Sequence, residues 1–147
     1  MRAICFFVLA CCGVLTACAS NAPPTMAQTN VGKPVRQKFT AFNKHDIPAI
    51  ESIYAIDAAL HSPDNPHLRG NGPIASTYRE LFAAIPDARD DVKSFDVIGD
   101  RVYVQFVLEG HWGGAADKAL RVPIISVYTV KGDHIVDDAT YYDRKAR

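Results

Sequence analysis

The apolar residues of this chain change their spacing near residue 90, and that change limits the folds open to it. Before it they recur at helical intervals. Val35, Phe39 and Phe42 form one stripe. Ile50, Ile53 and Tyr54 form a second, behind Asp46 as a cap and Pro48 in the first turn, where a missing N–H costs nothing. Ile74, Tyr78, Leu81, Phe82 and Ile85 form a third, opened by Asn71-Gly72-Pro73 and closed by Pro86-Asp87. A short strand is expected over residues 58–61, and the two prolines of residues 62–67 make that stretch a loop. After the change the period is two. Strands are expected over residues 92–98, 101–109, 122–130 and 135–142, joined by Gly99-Asp100, by a glycine-rich connection and by Lys131-Gly132-Asp133. Helices first and hairpin strands last predict an α+β fold: three helices packed on a curved, mostly antiparallel sheet, with a pocket between them.

The first residues have a different logic. Met1-Arg2 leads into a short apolar run that ends in Leu15-Thr16-Ala17-Cys18. A positive start, a short greasy segment and small residues before a cleavage point make an export signal, and the run is too short for a membrane span, which needs about 20 apolar residues. Leu15-Thr16-Ala17-Cys18 resembles the lipobox of bacterial lipoproteins. That resemblance implies lipidation of Cys18, removal of residues 1–17, and a chain held to the bilayer of the cell envelope. Ala19, rather than aspartate, implies the outer membrane facing the periplasm in a Gram-negative cell. The four cysteines are Cys5, Cys11, Cys12 and Cys18, so the folded part holds no disulfide, no cysteine metal ligand and no thiol nucleophile. Residues 18–33 have little that could pack and read as a lipid-anchored flexible tether. The domain is expected over residues 34–147, long enough for a single core. With 16 basic and 16 acidic residues and no basic stripe, the chain is a poor nucleic-acid partner.

Several short motifs, in order, resemble the SnoaL-like domain family of the nuclear transport factor 2-like superfamily. They are Phe39-Thr40-Ala41-Phe42-Asn43-Lys44-His45-Asp46, Ile53-Tyr54, His61-Ser62-Pro63 and Leu68-Arg69-Gly70. The match continues through Leu81 to Asp87, Gly99-Asp100-Arg101-Val102, Gly110-His111, Gly132 to Val136 and Tyr141-Tyr142-Asp143. The resemblance spans about residues 35–143. It implies an α+β cone with a pocket in its open end, in a group that includes polyketide cyclases, ketosteroid-isomerase-type enzymes and non-catalytic binding or dimerisation modules. The cyclases carry an acidic residue on the last strand. Aligned on Tyr142-Asp143, that position here is Thr140, whose hydroxyl cannot exchange a proton near neutral pH as a tuned carboxylate can.

Asp138 shares a strand face with Thr140 and Tyr142 and could supply the carboxylate. A carboxylate on a pocket wall would be desolvated, its pKa raised. The pair Asp137-Asp138 fits equally well as solvated residues near a sheet edge. The resemblance implies that His61 points into the pocket; a half-buried histidine bonded to backbone is the other reading. His111 and Trp112 suit a pocket rim or a mobile flap, and Tyr54 fits both a pocket wall and a core stripe. No metal or cofactor is expected. His61, Asp64 and His67 lack a ligating spacing, the run from Gly70 to Ala75 lacks the βαβ context of a dinucleotide loop, and there is no Gly-x-Ser-x-Gly elbow.

Three functions remain open from the residues. One is a membrane-held domain that binds a small apolar molecule, with Tyr54, His111, Trp112, Thr140 and Tyr142 around the pocket. The second is an isomerase or cyclase-like acid/base enzyme using Asp138 and His61. The third is a non-catalytic module that forms a homodimer through an outer sheet face carrying Tyr103, Gln105 and Val107.

Overall fold

The computed structural model describes residues 26–143 and 145. The export segment, Cys18 and the tether as far as residue 25 lie outside the described residues. The elements run α1 (Met26–Asn43), α2 (Ile47–Ile53), β1 (Tyr54–His61), β2 (Leu68–Arg69), α3 (Asn71–Ala84), β3 (Arg89–Ile98), β4 (Arg101–His111), β5 (Ala119–Lys131) and β6 (His134–Tyr141). A single 3₁₀ turn, Trp112–Gly114, links β4 to β5. Among the described residues, no helix is long and apolar enough to cross a membrane.

Helix α1 begins at Met26 rather than near Pro34, so the expected tether is helical from Met26 onward, and Pro34 lies inside the helix. A proline there removes one helical hydrogen bond. Packing compensates: Pro34 is fully buried, and Gly32 lies so close to β3 that a Cβ on it would stand 3.2 Å from the Phe95 ring and 3.4 Å from Val97. Helix α2 is capped by Asp46, whose carboxylate accepts from the Ala49 N–H at 3.0 Å, with proline in its first turn. It passes into β1 with no connecting loop, which makes that strand longer than residues 58–61.

The six strands form one open sheet in the order β2-β1-β6-β5-β4-β3. All neighbours are antiparallel except β1 and β6, which run parallel in register Leu60↔Asp138 and His61↔Ala139. This pairing closes the ends of the domain against each other and sets Tyr54 beside Asp138, 84 residues away. Pro123 sits where β5 extends beyond β6, whose last partnered residue is Tyr141 opposite Ile125. There β5 has one neighbour, and a missing donor breaks no second ladder.

Helix α1 lies against β3, β4 and β5, and α3 against β1. Phe39 on α1 meets Phe106 and Tyr128 edge-on, with ring centroids 5.0 and 6.1 Å apart. The opposite sheet face carries Tyr103, Gln105 and Val107, paired with Val127, Ile125 and Pro123. Gly110 on β4 faces inward under the turn that leaves α3. A Cβ there would overlap Ile85 Cγ2 and lie 3.2 Å from the Ala88 backbone. Gly110→Ala should therefore lower stability by about 1–3 kcal/mol in urea unfolding; a neutral result would show that the α3–β3 connection yields freely.

Candidate functional site

Between α1, α3 and the concave sheet lies a cavity of about 330 Å³. Its walls are apolar, supplied chiefly by Phe42, Leu60, Leu81, Phe106, Leu120 and Ile124. Its inner end is polar. Lys38 falls on the inward stripe of α1, between Val35 and Phe42, and cannot reach solvent: its side chain is 3% exposed. The ammonium donates to Asp90 Oδ2 at 3.4 Å, and both residues face the cavity. Asp90 is fixed at the start of β3 by Asn43, which closes α1: Asn43 Oδ1 accepts the Asp90 N–H at 2.7 Å and its Nδ2 donates to the Asp90 carbonyl at 3.0 Å.

Burial raises the Asp90 pKa to about 6, against the pull of Lys38 and with the help of the Asp138 charge. Burial alone would lower the Lys38 pKa, but the oxygens of Tyr128, Tyr78, Asp90 and Asp138 outweigh it and hold the pKa well above the ordinary lysine value. Lys38 is therefore a fixed cation. Its Nζ stands 4.3 Å from the centroid of Phe39 and 5.1 to 5.4 Å from those of Phe42, Tyr78 and Phe106, a set of ring faces that favours positive charge.

Asp138 lies at 1% exposure directly behind the cavity wall and does not itself line it. It accepts from the Tyr54 hydroxyl at 2.7 Å and from Thr140 Oγ1 at 2.8 Å. Burial raises its pKa, while Lys38 and the two hydroxyl donors pull it down. The network continues through Tyr54 to Tyr78 at 3.0 Å and through Thr140 to Ser126 at 2.5 Å. Burial also lifts the Tyr78 hydroxyl to about 12, so it stays protonated.

Of the residues expected at the site, Thr140, Trp112 and Tyr142 line the cavity. Tyr142 donates to Asp64 at 2.7 Å at the mouth. Tyr54 is buried in the network behind the wall. His111 turns away to Asp87, with Nδ1 2.6 Å from Oδ2 and its backbone N–H donating to Oδ1 at 2.7 Å; those bonds hold the Asp87 carboxyl below its usual range. His61 does not approach Asp138. It follows Leu60, the partner of Asp138, so strand alternation puts it on the other face. There Nδ1 meets the Pro66 carbonyl at 2.8 Å and Nε2 lies 3.4 Å from Asp137. Among the described residues, no group of three or more His, Cys, Asp or Glu side chains is arranged to hold a metal. Lys38 and Asp90 were absent from the sequence expectations, although a lysine inside an apolar helical stripe is a readable anomaly.

The SnoaL-like domain profile matches residues 35–138, most of α1 through β6. The chain belongs to the SnoaL-like domain family. No protein with a curated description matches it. Solved structures share the fold of this SnoaL-like domain. One is a hypothetical protein of ketosteroid isomerase-like fold from Catenulispora acidiphila, in complex with trimethylamine: TM-score 0.71, 21% identity, covering 78% of this chain and 88% of that one. Another, assigned as a SnoaL-like polyketide cyclase from Jannaschia, has a TM-score of 0.74 at 17% identity, covering 85% and 93%. A third, an LEH-like epoxide hydrolase from M. tuberculosis, has a TM-score of 0.70 at 14% identity, covering 81% and 86%. At these identities the likeness is one of fold.

The raised Asp90 pKa has a sign. Its contribution to folding is full below the ordinary carboxylate pKa near 4 and declines as pH rises through about 6. Carbon-detected NMR of the Asp90 carboxyl should show a midpoint near 6; a midpoint near 4 would mean that the carboxyl is solvated.

Proposed function

We propose that this SnoaL-like domain binds a small, neutral, largely apolar molecule in its cavity, and that it does so at the cell envelope, held there by lipid on Cys18. The observation that carries the binding reading is the combination of apolar walls with a buried Lys38–Asp90 pair facing the same 330 Å³. A cavity that is apolar for most of its surface and polar at one end suits a ligand with one polar group. A relative of this fold is described in complex with trimethylamine. In the present chain the aromatic enclosure already holds a cation of its own, Lys38, and this favours a neutral occupant.

The anchoring proposal rests on the lipobox resemblance. Cys18→Ser should move the protein from the membrane fraction to the soluble fraction of its host; continued membrane association would remove the lipid anchor from the account.

Binding is testable through Trp112, the chain's single tryptophan, which stands at the cavity mouth. A panel of neutral bicyclic compounds should quench its fluorescence saturably, and native mass spectrometry of protein from its own host should show a bound small molecule. Ala84 on the last turn of α3 faces the cavity, and Ala84→Phe should fill it. We expect that variant to keep its far-ultraviolet circular dichroism and lose at least tenfold in affinity for the panel, about the worth of one bicyclic ring's lost contacts. Equal affinity would place the ligand elsewhere.

A second reading, acid/base catalysis, is favoured by one observation: Asp90 faces the cavity with a pKa near 6 beside a fixed cation. In that reading Asp90 removes a proton next to a carbonyl and the nearby charge of Lys38 favours the enolate that forms; the proton then returns to another carbon in an isomerase, or, in a cyclase, to the alkoxide oxygen left when the enolate carbon closes a ring on a second carbonyl. His61, on the opposite sheet face, has no part in it.

A further inference from the structure

The hydrogen-bond directions around Asp138 define what the inner end of the cavity offers a ligand. Each hydroxyl has one proton to give. Thr140 Oγ1 gives its proton to Asp138 Oδ1 at 2.8 Å, so in its 2.5 Å contact with Ser126 it accepts and Ser126 donates. On the other oxygen, Tyr54 donates to Asp138 Oδ2 at 2.7 Å, so in its 3.0 Å contact with Tyr78 it accepts and Tyr78 donates. Two chains, Ser126–Thr140 and Tyr78–Tyr54, thus point their hydroxyl protons at one buried carboxylate.

Asp138 and Tyr54 lie behind the wall, whereas Tyr78, Tyr128, Ser126 and Thr140 line the cavity. With their protons turned inward, Tyr78, Ser126 and Thr140 present lone pairs to it. The Lys38 ammonium, which also lines the cavity, is directed at Asp90 and enclosed by rings. We propose that Asp138, acting through its two hydroxyl chains, makes the inner end of the cavity a hydrogen-bond acceptor site that selects neutral ligands with a donating polar group: an alcohol, phenol or enol in preference to a ketone or ether. An anionic ligand would face Asp90 and Asp138 in addition to the lone pairs. Asp138 is a positioning residue here, because it touches the chains and not the ligand. The proposal rests on the cavity being a binding site.

The test uses indanol and indanone, which have nearly the same shape and differ in having or lacking a donor, with Trp112 quenching as the readout on the full chain. The wild-type domain should bind indanol about tenfold more tightly than indanone, the factor expected for one hydrogen bond made against an unpaired acceptor. Asp138→Asn keeps the size of the side chain, but its amide donates into the chain it faces and reverses it, so the last hydroxyl of that chain points a proton at the cavity. The indanol-to-indanone preference should then fall roughly tenfold, a change that loss of stability alone would not produce. Thr140→Val interrupts one chain, leaves the carboxylate in place and frees Ser126 to donate outward. It should lower the preference about threefold, and it carries the test if the Asn variant does not fold. Equal wild-type affinity for the two probes, or a preference unchanged in a folded variant, overturns the proposal and leaves the cavity reading intact. Binding of neither probe, by quenching or calorimetry, overturns the cavity reading and this proposal with it.

Discussion

The Lys38 ammonium is the group around which the inner half of this domain is arranged. A lone ammonium at 3% exposure would be driven to give up its proton, because burial penalises its charge by several kcal/mol. It keeps the charge because α1 delivers it to Asp90 at the start of β3, within reach of Asp138 on β6 and among five aromatic rings. That requirement ties together elements that are remote in sequence. Asn43 closes α1 and also holds the Asp90 backbone at both its N–H and its carbonyl, so the helix end, the strand start and the ion pair are fixed as one unit. The parallel pairing of β1 with β6 then brings Tyr54 and Asp138 under the same region.

Between this polar inner end and the polar residues of the mouth the cavity is lined by apolar side chains, and the inner end and the apolar wall have different physical roles. The apolar wall contributes affinity in proportion to the surface it covers. The polar end contributes selection, since a buried acceptor or charge left unmatched by a ligand costs more than a matched one returns. Fold likeness to proteins with quite different descriptions is therefore expected. The scaffold supplies an open cone, and the few residues at its inner end decide what it holds.

Much of the architecture was legible in the chain. The change of apolar period near residue 90 gave the order of helices and hairpin strands, and Asp46-Ile47-Pro48 marked the start of α2. The parallel β1–β6 pairing was not legible, since nothing local encodes a contact over 84 residues. The early start of α1 was hidden because residues 26–33 look too polar to pack, whereas Val31 packs against the core and Gly32 lies close to Phe95 and Val97. At the site, Thr140, Trp112 and Tyr142 could be placed by position. His61 could not, because which face it takes depends on its pairing with β6. Asp90 lies in a run, Asp87 to Asp91, that reads as a solvated turn. Its burial follows from Lys38 and Asn43, neither of which is near it in sequence.

The polar end of the cavity depends on Lys38 and Asp90 being one buried, interdependent pair, and a double-mutant cycle on stability measures that interdependence directly. Lys38→Met and Asp90→Asn should each cost about 3–5 kcal/mol in urea unfolding at neutral pH, because each leaves its partner's charge uncompensated. The double variant should cost clearly less than the sum of the two, by at least about 1 kcal/mol. Costs that simply add, or single variants that unfold at the wild-type midpoint, would mean that the two side chains are solvated and independent, and the polar end of the cavity would not exist as described.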